Sequence, residues 1–286
     1  MTGIIIKGIG GFYYVEAGGA VYECKARGVF RKKRITPSIG DRVDIELKNG
    51  KGSIIEIHER KTLLMRPAAA NVDALMLVIA AASPDPNLFL ADKMLINAEV
   101  NGIKPIICIN KTDLAEYEAI KDIYVKAGYD VIAVSAEKDE LADIMMPYLK
   151  GRTTAFAGLS GVGKSTILSQ LTGGELETGE ISGKIQRGKH TTRHVELFKL
   201  AEDTFVLDTP GFSSLEITDI SDITESELAD CFPEMAGVIG CRFRGCSHIN
   251  EPDCAVKKKL EDGEIAPSRY ESYKTLYEIL KNTKKY

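Results

Sequence analysis

The 286-residue sequence lacks an apolar run long enough to span a bilayer, and it lacks the bias of a disordered or fibrous chain. Its longest apolar run, Ala74 to Ala82, falls far short of the roughly 20 residues that a membrane-spanning helix needs. Hydrophobic residues make up 44% and charged residues 27% of the chain, which excludes the disordered, collagenous and coiled-coil classes. There is no internal repeat, and we expect no targeting segment in the start, MTGIIIKGIGG. We therefore expect a cytoplasmic protein of two or three domains without a membrane partner.

The sequence has little net charge, but the small total hides an uneven distribution. The chain has 37 Lys and Arg against 41 Asp and Glu, a net charge of −4. Residues 1–66 carry 13 basic and 7 acidic residues (+6), and residues 255–286 carry 8 and 5 (+3). Subtracting both from −4 leaves −13 for the residues between them. Both basic ends could therefore face a polyanion.

Residues 1–66 show short alternating segments separated by glycines, which predict a small β-barrel. The segments are GFYYVEA, AVYECKA, DRVDIEL and SIIEIHE. In DRVDIEL, Val43, Ile45 and Leu47 fall on one strand face, and KNGKG at 48–52 contains the Asn-Gly pair of tight hairpins. The strand count fits an OB-fold.

The basic stretch KARGVFRKKR, residues 25–34, connects two predicted barrel strands. A charge run is more often a solvated loop, but an OB-fold favours contact with RNA, which added salt would weaken. KKK at 257–259 is weaker evidence of the same kind. The candidate phosphate contacts are Arg27, Arg31, Lys32, Lys33 and Arg34, with Tyr22 and Phe30 as stacking partners.

From about residue 67 the pattern changes to apolar strands that alternate with helical segments. Predicted strands lie at 74–82, 105–110, 130–136, 153–158 and 204–209. Predicted helices lie at 88–101, 115–127 and 137–149. This alternation predicts a doubly wound α/β sheet over 67–220, with 195–200 and 204–209 as an antiparallel edge hairpin. Residues 221–286 predict a helix at 225–236, a Cys/His cluster and a final helix from about 267.

The strongest motif is GLSGVGKS, Gly158 to Ser165, between a predicted strand and a helix-like run. Glycines let backbone N–H groups wrap phosphates, Lys164 reaches the β- and γ-phosphates, and the Ser165 hydroxyl binds Mg²⁺. A glycine-rich turn without a ligand is the alternative, which the strand–helix context disfavours. The predicted phosphate-binding residues are Gly158, Leu159, Ser160, Gly161, Val162, Gly163, Lys164, Ser165 and Thr166.

Two further segments predict recognition of guanine. NKTD, Asn110 to Asp113, follows a strand, and SAEK, with Ser135 and Ala136, follows the next one. The Asp113 carboxylate can accept hydrogen bonds from guanine N1–H and from its exocyclic amine, which adenine cannot offer. Lys111 can pack over the ring. Taken alone, Asp113 and Ser135 fit equally well as helix N-caps.

DTPG, Asp208 to Gly211, completes the set at the end of a strand. Asp208 can hold Mg²⁺ through water, and the Gly211 N–H can meet the γ-phosphate. The guanine motifs precede the phosphate loop, whereas in an ordinary GTPase they follow it. The order therefore predicts a circularly permuted GTPase domain, because a sheet and its loops can survive a relocated chain break.

Phe212 follows DTPG, where Ras-like GTPases place a water-orienting Gln. The segment GKHTTRH, 188–194, lies at the position of a switch loop. His190 is the candidate for positioning water, and Thr192 or Thr191 for contact with Mg²⁺ and the γ-phosphate. The alternative for His190 is a solvated loop histidine.

The second strong signal is the spacing of Cys241, Cys246, His248 and Cys254. Four soft or borderline ligands within a short segment predict a closed, structural Cys₃His zinc site, against the alternative of three buried free thiols. Clustered cysteines beside a histidine also favour a reducing compartment over disulfides. Cys24, Cys108 and Cys231 stand alone and are expected in the core.

Together, GLSGVGKS, DTPGF, KHTT and the Cys₃His spacing resemble the ribosome small subunit-dependent GTPase A family over essentially the whole chain. The resemblance implies GTP hydrolysis stimulated by the small ribosomal subunit, rRNA contacts by both flanking domains, and a role late in subunit maturation. We expect a monomer. The predicted domains are an OB-like barrel (1–66), a circularly permuted GTPase (67–220) and a helical zinc-binding domain (221–286). The rivals are a P-loop kinase or ATPase, and an RNA-binding scaffold with a regulatory nucleotide site.

Overall fold

The computed structural model describes residues 1–48, 51–65, 68–174, 195–209 and 223–283. These residues form two compact units. The first contains Met1–Leu75, Glu140–Ala157 and the described residues between Lys164 and Thr209. The second contains Met76–Asp139, Gly158–Gly163 and the described residues from Ile223 onward.

In the first unit, five strands close into a barrel in the order β1-β2-β3-β5-β4. The strands are β1 (Thr2–Ile9), β2 (Phe12–Ala17), β3 (Ala20–Ala26), β4 (Arg42–Lys48) and β5 (Lys51–Ile57). Strands β3 and β5 are parallel and the other neighbouring strands of the barrel are antiparallel, so the predicted OB-like barrel is confirmed. A two-stranded hairpin, β6 (Leu63–Met65) and β7 (Ala68–Ala70), follows it.

The barrel interior holds the apolar residues of the alternating segments. Ile5, Val15, Val43 and Ile54 are 0% exposed, and Ile45 is 2% exposed. Leu47 follows Ile45 by two residues without a register shift, but it pairs with Gly52 next to the hairpin end and is 43% exposed, so it lies outside this core.

The basic stretch contains a short helix, α1 (Gly28–Lys32), instead of a simple loop. Phe30 is only 7% exposed and packs into the barrel core, so its expected role as a stacking partner is wrong. Tyr22 is half-buried against the same core. Arg27 forms a salt bridge with Glu46. All the cations of the stretch are exposed: Lys25, Arg27, Arg31, Lys32, Lys33 and Arg34.

Six strands form a sheet in the order β10-β9-β8-β11-β13-β12. They are β8 (Ala74–Ala80), β9 (Lys104–Asn110), β10 (Asp130–Ala133), β11 (Thr153–Ala157), β12 (Leu197–Ala201) and β13 (Thr204–Asp208). The predicted edge hairpin is confirmed, since β12 is antiparallel to β13. Every residue of β8 is buried, as its continuous apolar run predicts.

The helices of this sheet are α2 (Leu88–Val100), α3 (Glu118–Lys126), α4 (Leu141–Leu149) and α5 (Lys164–Leu171). They lie within a few residues of the predicted helices. The largest difference is at α4, which begins at Leu141 because turn residues follow Ser135. Among the described helices, none is long and apolar enough to cross a membrane.

The C-terminal module, residues 223–283, contains a 3₁₀ turn (Leu228–Cys231) and two helices, α6 (Ala255–Glu261) and α7 (Pro267–Asn282). The predicted helix at 225–236 is wrong. Pro233 disfavours helical backbone at the preceding residue, and Phe232 is extended. Cys24 and Cys108 are buried as expected, whereas Cys231 is only half-buried.

Candidate nucleotide-binding site and metal centre

The phosphate-loop motif leaves β11 at Ala157 and enters α5 at Lys164. Three of its glycines have positive φ, which side chains rarely adopt: 142° at Gly158, 82° at Gly161 and 97° at Gly163. A Cβ at Gly158 would lie 2.3 Å from the Val78 oxygen. The glycines of the motif are therefore required by the backbone path of the loop.

Asn110 connects this loop to both guanine motifs. Its Nδ2 donates to the Val162 carbonyl at 2.9 Å, and its Oδ1 accepts from the Ala136 N–H at 3.0 Å. Gly163 passes so close that a Cβ would lie 2.2 Å from Asn110 Nδ2. The side chain is 1% exposed, so these bonds are shielded from water.

Lys111 makes a second connection. Its ammonium donates to the Gly161 oxygen at 2.7 Å and also to the Ser83 oxygen. Lys111 belongs to the NKTD motif, whereas the Ser83 and Val162 carbonyls have no sequence signal, because every residue has a backbone oxygen. These bonds place NKTD, SAE and the loop together.

Asp113 is held by the segment that begins at Ser135. The Ser135 hydroxyl donates to Asp113 Oδ1 at 2.7 Å, and Lys138 Nζ lies 3.2 Å from Oδ2. The hydrogen bond from Ser135 and, secondarily, Lys138 lower the pKa of the Asp113 carboxyl, although partial burial opposes them. Asp113 is no helix N-cap, since α3 begins at Glu118. The alternative for Ser135 fails likewise, since α4 begins at Leu141.

In the first unit, Lys164 opens α5 and Asp208 ends β13. Burial lowers the pKa of the Lys164 ammonium, while the charge of Asp208 opposes that shift. Asp208 pairs in register with Phe156 of β11, and the Thr209 hydroxyl donates to the Phe156 oxygen at 2.7 Å. Ser165 and Thr166 are exposed in the first turn of α5. The predicted residues His190, Thr191, Thr192, Gly211 and Phe212 lie outside the described residues.

The predicted zinc ligands come together in the C-terminal module. The ligand atoms of Cys241, Cys246, His248 and Cys254 all lie within 4.8 Å of one another. Cys241 Sγ is 3.6 Å from His248 Nδ1 and 4.0 Å from Cys254 Sγ. Ligands at about 2.0–2.3 Å from a tetrahedral ion are separated by about 3.5–3.8 Å, so the cluster fits zinc. Burial, together with the neighbouring sulfurs, raises the pKa of the Cys246 thiol to about 12, a shift that a bound cation reverses.

A P-loop, two guanine motifs ahead of it in the chain, and an α/β sheet define the class of circularly permuted GTPases. Residues 57–218 match the family model of the RsgA GTPase, and residues 2–55 match that of the RsgA N-terminal domain. The chain belongs to the RsgA GTPase family.

Relatives and solved structures agree over the full length. The chain is 46% identical to the Small ribosomal subunit biogenesis GTPase RsgA of Agathobacter rectalis, covering 100% of both chains. It is 49% identical to the protein of that name from Clostridium botulinum, covering 100% of this chain and 99% of the relative. The crystal structure of YloQ, a circularly permuted GTPase, is similar with a TM-score of 0.81 and 41% identity, covering 100% of this chain and 96% of that one. YjeQ from Thermotoga maritima is similar with a TM-score of 0.83 and 34% identity, covering 99% of each.

Proposed function

We propose that this GTPase is stimulated by the small ribosomal subunit and acts in the cytoplasm, as a monomer, late in maturation of that subunit. The observation that carries the nucleotide assignment is the junction at Asn110, whose amide joins the loop at Val162 to the guanine motif at Ala136. The names of the full-length relatives support the ribosomal partner. We assign residues 1–66 to an RNA-binding barrel, 67–220 to the GTPase domain and 221–286 to the zinc-binding domain.

Guanine recognition is assigned to Asp113. Its carboxylate accepts from N1–H and the exocyclic amine of the base, while Ser135 and Lys138 hold it in place. Its carboxyl, with a pKa lowered from the ordinary value of 3.8, is ionised at neutral pH and acts only as an acceptor. Ala136 is assigned a place beside the guanine base, because its backbone N–H donates a hydrogen bond to Asn110 Oδ1.

Hydrolysis is assigned to the residues that follow the loop. Lys164 and the loop amides neutralise the phosphates, the Gly211 N–H meets the γ-phosphate, and His190 orients the attacking water. Ser165 and Thr192 would hold Mg²⁺ with support from Asp208; the bound ion spreads the charge of the β- and γ-phosphates. Because Phe212 cannot hydrogen-bond to water, turnover depends on His190 and on the partner that orders its segment.

The zinc site is assigned a structural role. Its four ligands leave no coordination position for water or substrate, which distinguishes structural from catalytic zinc. The barrel is assigned to rRNA, since Arg31, Lys32, Lys33 and Arg34 are all exposed on one short segment and can neutralise phosphates.

The test is GTP turnover with purified small subunits, with large subunits and ATP as matched controls. We expect small subunits to raise GTP turnover by about tenfold or more, and neither control to show turnover of that size. Equal turnover with and without small subunits contradicts the proposed activation. ATP turnover equal to that of GTP would favour the kinase or ATPase alternative.

A further inference from the structure

Arg269, in the first turn of α7, is a charged side chain almost without solvent contact, at 1% exposed. Its guanidinium donates to Glu234 at 2.7 and 3.1 Å and to Asp92 of α2 at 2.7 Å. These carboxylate side chains are 3% and 0% exposed. We call Arg269, Asp92 and Glu234 the Arg269 cluster. The rings of Phe232, Tyr129 and Tyr124 surround its cation at 4.6, 5.5 and 6.0 Å.

A buried ion cluster of this kind is not in itself a clear gain in stability. Buried ion pairs are often no better than apolar side chains of the same volume, and a cation near a helix N-terminus opposes the helix dipole. The planar guanidinium does hold two carboxylates at fixed angles. The cluster therefore fixes the relative position of three elements: α7, α2 and the turn that contains Glu234.

Tyr270, which follows Arg269 in α7, contacts the metal centre. The Tyr270 hydroxyl donates to the backbone oxygen of the ligand His248 at 2.6 Å. One turn later, the Tyr273 hydroxyl donates to the Ser247 oxygen at 2.7 Å. The helix that carries Arg269 is thus fastened directly to the backbone of the zinc site.

Ala91, which precedes Asp92 in α2, faces the P-loop. Ala91, with Leu90 and Met94, lines a small apolar pocket of about 20 Å³ that is also lined by Gly158, Leu159 and Val162. The loop ahead of α2 is joined to the P-loop as well, because Lys111 bonds both the Ser83 and the Gly161 oxygens. Because this pocket is so small, α2 lies close against the P-loop.

We propose that α2 couples the zinc site to the nucleotide site, with Arg269 as the positioning residue. Two pairs of adjacent residues connect the sites. In α7, Tyr270 donates to the His248 oxygen and Arg269 donates to Asp92. In α2, Asp92 is followed back along the chain by Ala91, which faces the P-loop. Zinc binding sets the position of α7, and through Asp92 it sets α2 against the P-loop. Zinc and nucleotide therefore strengthen each other's binding. This coupling rests only on the nucleotide binding of the proposed function and requires neither RNA nor the ribosomal subunit.

The experiment measures the affinity for GDP with and without zinc, at constant Mg²⁺ and under conditions where the zinc-free chain stays folded. We expect zinc removal to weaken GDP binding about 5- to 10-fold. Linkage requires GDP to raise zinc affinity by the same factor, which competition with a chromophoric chelator measures.

Two variants identify the route. Arg269→Lys keeps the charge but cannot hold both carboxylates, so the coupling factor should fall below about twofold. A triple variant with Asp92→Leu, Glu234→Met and Arg269→Met removes every charge of the cluster and should also bind GDP equally with and without zinc. The matched control neutralises the half-exposed pair Lys104–Asp130 and should keep the wild-type factor.

The outcomes are distinct. Coupling that passes through global unfolding grows in a destabilised variant, whereas coupling through the Arg269 cluster disappears. A wild-type factor near one, or variants that keep the full factor, would overturn the inference while leaving the proposed function intact. A wild-type chain that binds no GDP with zinc bound would overturn both.

Discussion

Asn110 Nδ2 donates to the backbone oxygen of Val162 at 2.9 Å, across 52 residues of sequence. The same side chain accepts from the N–H of Ala136, so one buried amide joins three loops from three parts of the chain. None of these bonds depends on the order in which the loops occur along the chain. A permuted sequence can therefore keep the geometry of a guanine-nucleotide site.

Asn110→Ala should weaken nucleotide binding and destabilise the fold by about 2–4 kcal/mol, because it leaves a buried carbonyl and a buried N–H without partners. Chemical unfolding and GDP titration measure the two effects. Asn71→Ala is the matched control, since the Asn71 amide also bonds two backbone groups, at Lys61 and Gly40. It should lower stability but leave GDP affinity within about twofold. Equal loss of affinity in both variants would argue against a specific role for Asn110.

Ser135→Ala should make guanine recognition more sensitive to acid. The Ser135 hydroxyl is the main cause of the lowered pKa of Asp113. In the wild type the Asp113 carboxyl therefore stays ionised as the pH falls to its ordinary pKa of 3.8, and it loses its charge only at lower pH. In the variant the pKa returns toward that value, so GDP affinity should fall by up to about twofold more than in wild type near pH 4. Asp113→Asn, the control, should lose selectivity at every pH; parallel pH profiles for wild type and Ser135→Ala would contradict this account.

Chelation of zinc should make Cys241 reactive toward a chromogenic disulfide because, against the effect of burial, the backbone hydrogen bond from Ala255 and neighbouring thiols lower the pKa of its thiol. Cys246, whose pKa burial raises to about 12 in the absence of a metal ion, should react more slowly. Cys24 and Cys108 should stay unreactive in the folded chain, because they are buried and burial raises the pKa of Cys108 to about 12. Cys231, half-buried with its pKa raised by burial to about 11, should react slowly in both states. No increase in reactive thiols on chelation would contradict the zinc assignment.

His190→Ala should lower subunit-stimulated turnover by about 100-fold or more while leaving GTP affinity unchanged. The reason is that Phe212 offers no hydrogen bond to the attacking water. His194→Ala, in the same segment, is the control and should keep most of the stimulated rate. Unchanged stimulated turnover in His190→Ala would retire the assignment.

The sequence predicts the barrel, the sheet and the zinc ligands because each has a local signal of alternation, apolar runs or ligand spacing. It also predicts which motifs meet, since loops at the carboxyl ends of neighbouring strands share one edge. It does not predict the Arg269 cluster, because Asp92 and Arg269 lie 177 residues apart and each fits a solvated helix face. It also does not predict that Phe30 packs in the barrel core, because the residues around Phe30 are basic and indicate an exposed segment.

A subunit that stimulates GTP hydrolysis must bind the GTP-bound protein, and we propose that GTP strengthens the affinity of this protein for the small ribosomal subunit. The most direct measurement is the dissociation constant for purified small subunits with a non-hydrolysable GTP analogue and with GDP, at one salt concentration. The account predicts binding about tenfold or more tighter with the analogue. Equal affinity in the two nucleotide states would contradict it and favour an RNA-binding scaffold.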